Sequence, residues 1–246
     1  MNYNIDYDDF SKDYSIYRNA SPVVVNHILK KIKSKSIKKT LEVGCGTCDY
    51  LYALTRKLNC DSYGFDNSKK MINEANTKNP GLNLSVNNLH NAFPYDDDFF
   101  DLAYSIDVIH YVKDLNHYFK ECSRVLNENG IVLTVTDSEE DLKNRTITKY
   151  FPESLEIENK RYPGLNKILE NMSNNGFKNI RITHTKREYQ MSEEVYQKFK
   201  NKAFSSIRLL SQESSEKGIK RIEEDMENNE CLVKELYTYI WGINRF

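Results

Sequence analysis

A short apolar run at residues 40–43 leads directly into Gly44-Cys45-Gly46, and a second, at 61–65, ends in Asp66, twenty positions after Gly46. Residues 49–58 between them have helical spacing. Strand, glycine turn, helix and strand make a βαβ unit, and a crossover of this length commits the chain to a parallel sheet with helices packed on it. Only glycine both accepts positive φ cheaply and lets backbone approach a ligand closely, so Gly44 and Gly46 mark a binding turn. An acid at the end of the second strand sits where it can accept hydrogen bonds from both ribose hydroxyls of a nucleoside. A dinucleotide fingerprint would need its third glycine at position 49. Asp49 stands there and would face a pyrophosphate, which disfavours a nicotinamide dinucleotide.

The alternation continues. Ser21 and Pro22 open a helix over 21–33, with Val24, Ile28 and Ile32 on one face. Residues 67–75 read as a helix, 82–86 and 101–105 as strands, 115–126 as a helix and 131–136 as a strand. The pattern loosens after Asp137. A helix at 165–172, a strand at 179–184, a charged helical stretch at 192–229 and an aromatic strand at 236–243 complete it.

With 246 residues the chain has room for one α/β domain with a full core. Lysine plus arginine (35) nearly equals aspartate plus glutamate (36), so no positive field marks a nucleic-acid partner. No apolar run approaches a membrane span, and no signal-peptide pattern opens the sequence, so the expectation is a cytoplasmic protein without a membrane partner. Five cysteines are an odd set for a disulfide framework. Cys45 and Cys48 form a CxxC, but no second pair or histidine pair completes a zinc site. Asp96, Asp97 and Asp98 read as an exposed turn, and no metal is expected.

The segment Glu42-Val43-Gly44-Cys45-Gly46 resembles the acidic-x-Gly-x-Gly first motif of class I S-adenosylmethionine-dependent methyltransferases. Three further stretches resemble later motifs of that family in order and spacing: YGFDNSKKMI, FPYDDDFFDLAYSIDVIHYVKD and FKECSRVLNENGIVLTV. They are most similar to its ubiquinone- and menaquinone-biosynthesis-type (methyltransferase type 11) group. The resemblance implies a Rossmann-like doubly wound α/β fold, with a seven-stranded, mostly parallel sheet whose last strand is antiparallel, plus a helical cap. It implies S-adenosyl-L-methionine as cofactor, S-adenosyl-L-homocysteine as product, and a small-molecule N, O or C nucleophile as acceptor. It places Glu42, Gly44, Cys45, Gly46, Asp66, Asn67, Met71 and Ser105 at the cofactor, with Asn88 or Leu89 where the family has an adenine-facing aspartate. YDDFSKDYSIYR resembles the group's N-terminal helix, so Tyr14 and Arg18 are expected to close over the cofactor. Cys48 stands where the family has a third glycine, an exchange that requires a negative φ.

Methyl transfer from a sulfonium is an in-line displacement in which alignment and exclusion of water matter most. If a proton must be removed, His110, Tyr111 and Asp107 lie just past the fourth strand, His110 first among them; packing against the cofactor is its alternative role. Phe199, Phe204, Tyr196 and the aromatics of 236–243 are candidates for a substrate pocket, and Arg145 and Arg208 for pairing with an anionic acceptor. The expected organisation is one domain over 1–246: N-terminal helices at 1–37, a cofactor-binding core at 38–191 and 230–246, and a cap at 192–229. The chain would act as a monomer or homodimer. Protein or peptide methylation, and cofactor binding without catalysis, are the competing readings.

Overall fold

The computed structural model describes residues 19–245; Tyr14 and Arg18 lie outside them. The first described helix, α1 (Pro22–Ile32), has Pro22 in its first turn and buries Val24, Val25, Ile28 and Ile32. Then follow β1 (Lys39–Val43), α2 (Asp49–Leu58), β2 (Asp61–Asp66), α3 (Lys69–Lys78), β3 (Asn83–Val86), β4 (Phe100–Ile106), α4 (Leu115–Val125) and β5 (Leu126–Thr136). The second half runs α5 (Glu139–Asn144), α6 (Thr146–Tyr150), α7 (Ser154–Arg161), α8 (Leu165–Asn174), β6 (Lys178–Gln190), α9 (Glu193–Lys200), α10 (Ser205–Arg208), α11 (Gln212–Glu227) and β7 (Leu232–Ile243).

The strands form one seven-stranded sheet in the order β3-β2-β1-β4-β5-β7-β6. The pairs from β3 through β5 are parallel, and β7 runs antiparallel to both β5 and β6. This is the Rossmann-like doubly wound arrangement with its last strand reversed. The chain crosses from one half of the sheet to the other between β1 and β4, and a crevice opens at the carboxyl ends of strands at such a switch point.

Side chains alternate across the sheet with period two. Leu102, Tyr104 and Ile106 of β4 join α1, α2 and α3 on one face, whereas Ala103 joins Phe119 and Cys122 of α4 and Ile168 and Met172 of α8 on the other. Burial on both faces explains why the central strands read as near-continuous apolar runs.

A third cluster joins the later helices to the far end of the β6–β7 ribbon. Tyr150 and Phe151 pack there on Phe199, Ile207 and Ile222, so the helices after β5 and those after β6 share one core. Phe151 and Phe199 stack with ring centroids 6.1 Å apart. Gly218 of α11 permits the contact, because a Cβ there would fall 2.1 Å from the Phe151 ring. The loosened pattern after Asp137 thus conceals three helices. Ser138 caps the first of them in a reciprocal box with Asp141. The last two strands extend beyond their sequence limits, β6 to Gln190 and β7 back to Leu232, where they pair as a long ribbon.

Candidate functional site

The glycine turn is held to the neighbouring strand through its own backbone N–H groups. Gly44 and Cys45 N–H both donate to the Phe65 carbonyl (2.9 and 3.0 Å), and Gly46 N–H donates to Asp66 Oδ2 (3.0 Å). Ser68 N–H donates to the other oxygen, Oδ1 (2.9 Å), before α3 begins. Two backbone donors therefore fix the Asp66 carboxylate beside the turn. Gly44 (φ +69) and Gly46 (φ +51) both have the positive φ that calls for glycine.

Cys48 departs from expectation. Its φ is +63 and its ψ 26, so a β-carbon occupies the left-handed region where a negative φ was required. The residue is fully buried among Leu51, Leu54 and Cys45, and its N–H closes a turn onto the Cys45 carbonyl (2.8 Å). Tertiary packing has overridden the local preference at a cost of about 1–2 kcal/mol.

Glu42 is buried on β1, where the Tyr104 hydroxyl donates to its Oε2 (3.3 Å). Burial drives its carboxyl well above the usual range, and the Tyr104 hydroxyl and the Leu51 N–H of α2 oppose that shift. Glu42 thereby ties the first strand to the first turn of α2.

The other expected cofactor residues fall into two groups. Asn67 and Asn88 are exposed on the loops after β2 and β3, with Leu89 half-buried beside Asn88; Asn88 Oδ1 accepts from His90 N–H (3.0 Å). Cys45, Met71 and Ser105 are buried: the Cys45 thiol lies beneath Gly64, Met71 sits in the first turn of α3, and the Ser105 hydroxyl faces Tyr118. The buried side chains of the second group face protein, so any cofactor contact from Cys45 would come through its backbone.

Beyond β4 and β5 lies a cavity of about 330 Å³. Asp107, His110 and Tyr111 line its sheet end, which brings the three candidate catalytic residues together at one site. Asp107 carries a positive φ of +56, and its N–H donates to the Val135 carbonyl (3.0 Å). A non-glycine residue strained in this way at a strand end is a feature of working sites. His110 packs between two rings, stacked on Tyr162 at 4.4 Å and tilted against Tyr111 at 4.1 Å. Phe199 and Phe204 close the cavity from the cap and Tyr237 from β7. Tyr196 packs in the cap core, whereas Tyr239 and Trp241 lie against His27 on the α1 face.

Of the next group of cavity residues, Arg145 was a candidate for an anionic acceptor, whereas Asp137 and Glu158 had no sequence signal. Asp137, Arg145 and Glu158 form a buried ion network: one Arg145 nitrogen contacts Asp137 and the other lies 3.0 Å from Glu158. Arg161 extends it to Glu158 (3.5 Å) and donates to Ser205 Oγ (3.2 Å). Burial raises the Asp137 carboxyl to about 7, with the Arg145 charge opposing and Asp107, Asp141 and Glu158 adding to the rise. The capping box at Ser138 was the one readable sign of structured chain here.

Among the described residues no cluster of histidine, cysteine or acidic side chains is arranged to hold a metal ion, and no helix is long and apolar enough to cross a membrane. Asp96, Asp97 and Asp98 are exposed, and Arg124 pairs with Asp97 (2.7 Å). All five cysteines are free.

Sheet order, reversed last strand, glycine turn and strand-end acid together match the Rossmann-like methyltransferase fold. Residues 41–134 match the family model described as a methyltransferase domain. Over 144 residues, 54% of the chain, the sequence is 28% identical to a ubiquinone biosynthesis O-methyltransferase of Pelagibacter ubique; the match spans 57% of that enzyme. A solved structure described as a methyltransferase from an antibiotic biosynthesis pathway of Anabaena variabilis superposes with a TM-score of 0.73 at 19% identity, covering 92% of this chain and 98% of that one. Phosphoethanolamine N-methyltransferase 2 of Haemonchus contortus, solved with S-adenosyl-L-methionine, matches with a TM-score of 0.64 at 16% identity over 99% of this chain and 61% of that one.

Proposed function

We propose that the protein transfers a methyl group from S-adenosylmethionine to a small molecule held in the cavity beside Asp107, His110 and Tyr111. The observation that carries this reading is the position of a cavity at the carboxyl ends of β4 and β5, beside the strand whose glycine turn fixes Asp66. A volume of about 330 Å³ suits a metabolite better than a peptide segment.

In this reading Asp66 accepts from the ribose hydroxyls, and the turn at Gly44–Gly46 passes beneath the methionine part, with Glu42 holding α2 behind it. Asn67, Asn88 and Leu89 border the nucleoside, and Tyr14 and Arg18, outside the described residues, cover it. The cofactor supplies an electrophilic methyl on sulfur. The chain's own task is to align the acceptor, exclude water and receive a proton where the acceptor carries one. The helices at 139–161 and 193–227 act as one cap, because they share a core. A cytoplasmic setting fits five free thiols.

Calorimetry with S-adenosylhomocysteine tests the site. Asp66→Ala removes a carboxylate that two backbone donors hold in place, and the expected loss is on the order of a hundredfold in affinity, at about 1.5–3 kcal/mol for each charged hydrogen bond. Unchanged affinity would refute the assignment.

A further inference from the structure

The cavity's charges are unevenly matched. Glu194 and Lys198 pair with each other (3.1 Å), Lys234 reaches Glu188 (3.8 Å), and Arg145 is shared between Asp137 and Glu158. Each of these three basic lining residues therefore already faces a carboxylate. Glu235, on the same wall, has no ion-pair partner among the described residues: its Oε1 accepts from the Tyr189 hydroxyl (2.9 Å), and its Oε2 is sealed from solvent without a hydrogen-bond partner. Arg187, opposite Glu235 in the β6–β7 register, lies over the Tyr189 ring instead (4.5 Å).

The rest of the wall is rich in π surface. Tyr50, Tyr111 and Tyr237 come from the sheet side, and Tyr162, Phe199 and Phe204 from the cap. Aromatic faces attract cations most strongly where water is excluded. The Tyr162 and Tyr237 hydroxyls report the local field. Burial raises both, and carboxylates add to each: Asp137, Glu158 and Asp107 for Tyr162, where Arg145 opposes them, and Asp107 and Glu235, beside Tyr50, for Tyr237, where a Ser21 hydrogen bond opposes them. An anionic acceptor would meet this negative field with Arg145 already engaged twice.

We infer that the acceptor is a small amine, bound as its ammonium ion against the π faces and carboxylates of this cavity, an inference that rests on the methyl-transfer reading above. The reaction balances as follows. The ammonium gives one proton to a wall carboxylate or to water, and the freed nitrogen lone pair forms the N–CH₃ bond. The C–S bond breaks with its electron pair passing to sulfur, so the sulfonium becomes a neutral thioether. The positive charge moves to nitrogen, and the product leaves as an N-methylammonium.

The test is calorimetry on the full chain saturated with S-adenosylhomocysteine, using two size-matched series: 2-phenylethylamine, 2-phenylethanol and phenylacetate, and butylamine, 1-butanol and butanoate. The amine is expected to bind at least about tenfold more tightly than its alcohol in one series or both, with the carboxylate weakest. Glu235→Gln is expected to remove most of that preference while leaving S-adenosylhomocysteine affinity and the near-ultraviolet circular dichroism unchanged. The inference is overturned if neither amine binds while S-adenosylhomocysteine does. It is equally overturned if an alcohol or carboxylate matches its amine, or if Glu235→Gln leaves the preference intact. Failure of S-adenosylhomocysteine itself to bind would strike the underlying methyl-transfer reading instead.

Discussion

Replacing Cys48 by glycine and, separately, by alanine isolates the backbone strain at the one non-glycine residue in the left-handed region of the glycine turn. Both variants lose the thiol, with its contacts to Cys45 and to the Gly46 carbonyl (3.9 Å), so those losses cancel between them. Alanine keeps a buried β-carbon, which favours it by about 0.8 kcal/mol, and its unfolded chain is stiffer by about 0.4–1 kcal/mol. At an ordinary negative φ, alanine would thus be the more stable by about 1–2 kcal/mol. At φ +63 it also carries a left-handed penalty of about 1–2 kcal/mol that glycine lacks. The two effects offset, and the variants should melt within about 2 °C of each other, because 1 kcal/mol shifts Tm by roughly 2–4 °C in a chain of this size. Thermal unfolding by circular dichroism reads the difference directly. An alanine variant more than about 4 °C above the glycine variant would refute the left-handed assignment.

Other substitutions probe separate parts of the account. Because the folded state raises the Glu42 carboxyl above its unfolded value, it favours the protonated form; that contribution is complete below the ordinary carboxylate range and is lost as pH rises through the folded value. Glu42→Gln should therefore raise Tm more at pH 7.5 than at pH 5, and an equal effect at both would contradict the buried-carboxylate reading. Gly218→Ala places a methyl 2.1 Å from the Phe151 ring, and chemical denaturation should show a loss of about 1–3 kcal/mol with S-adenosylhomocysteine affinity retained. Arg145→Met strands Asp137 and Glu158 without their shared guanidinium, at a cost of about 3–5 kcal/mol that shrinks on acidification as the Asp137 carboxyl takes up a proton. A pH-independent cost, measured by urea unfolding, would count against the buried network.

The glycine turn and its neighbouring strand end were legible because backbone requirements show in sequence. Gly44, Gly46 and Asp66 are dictated by a tight turn and a strand end, and both are local features. The cap was less legible. Phe151, Phe199 and Ile222 meet across long sequence separations, and short helices such as α6 and α10 carry too few turns for a periodic stripe. Glu158 looks like one acid in a charged stretch, and only the approach of Arg145 and Arg161 reveals why it is buried. Cys48 was misjudged for a related reason: the conformation of a turn residue depends on what it packs against, here Leu51 and Leu54 of α2.

The central claim is methyl transfer from S-adenosylmethionine to a small molecule in the cavity beside Asp107 and His110. Incubating the protein with methyl-labelled S-adenosylmethionine and a panel of metabolites spanning amines, alcohols and carbon acids, with mass spectrometry of the products, tests it most directly. The prediction is stoichiometric S-adenosylhomocysteine and a labelled small-molecule product, both abolished by Asp66→Ala. Tight S-adenosylhomocysteine binding without any labelled product across the panel would contradict it and leave a binding protein in place of an enzyme.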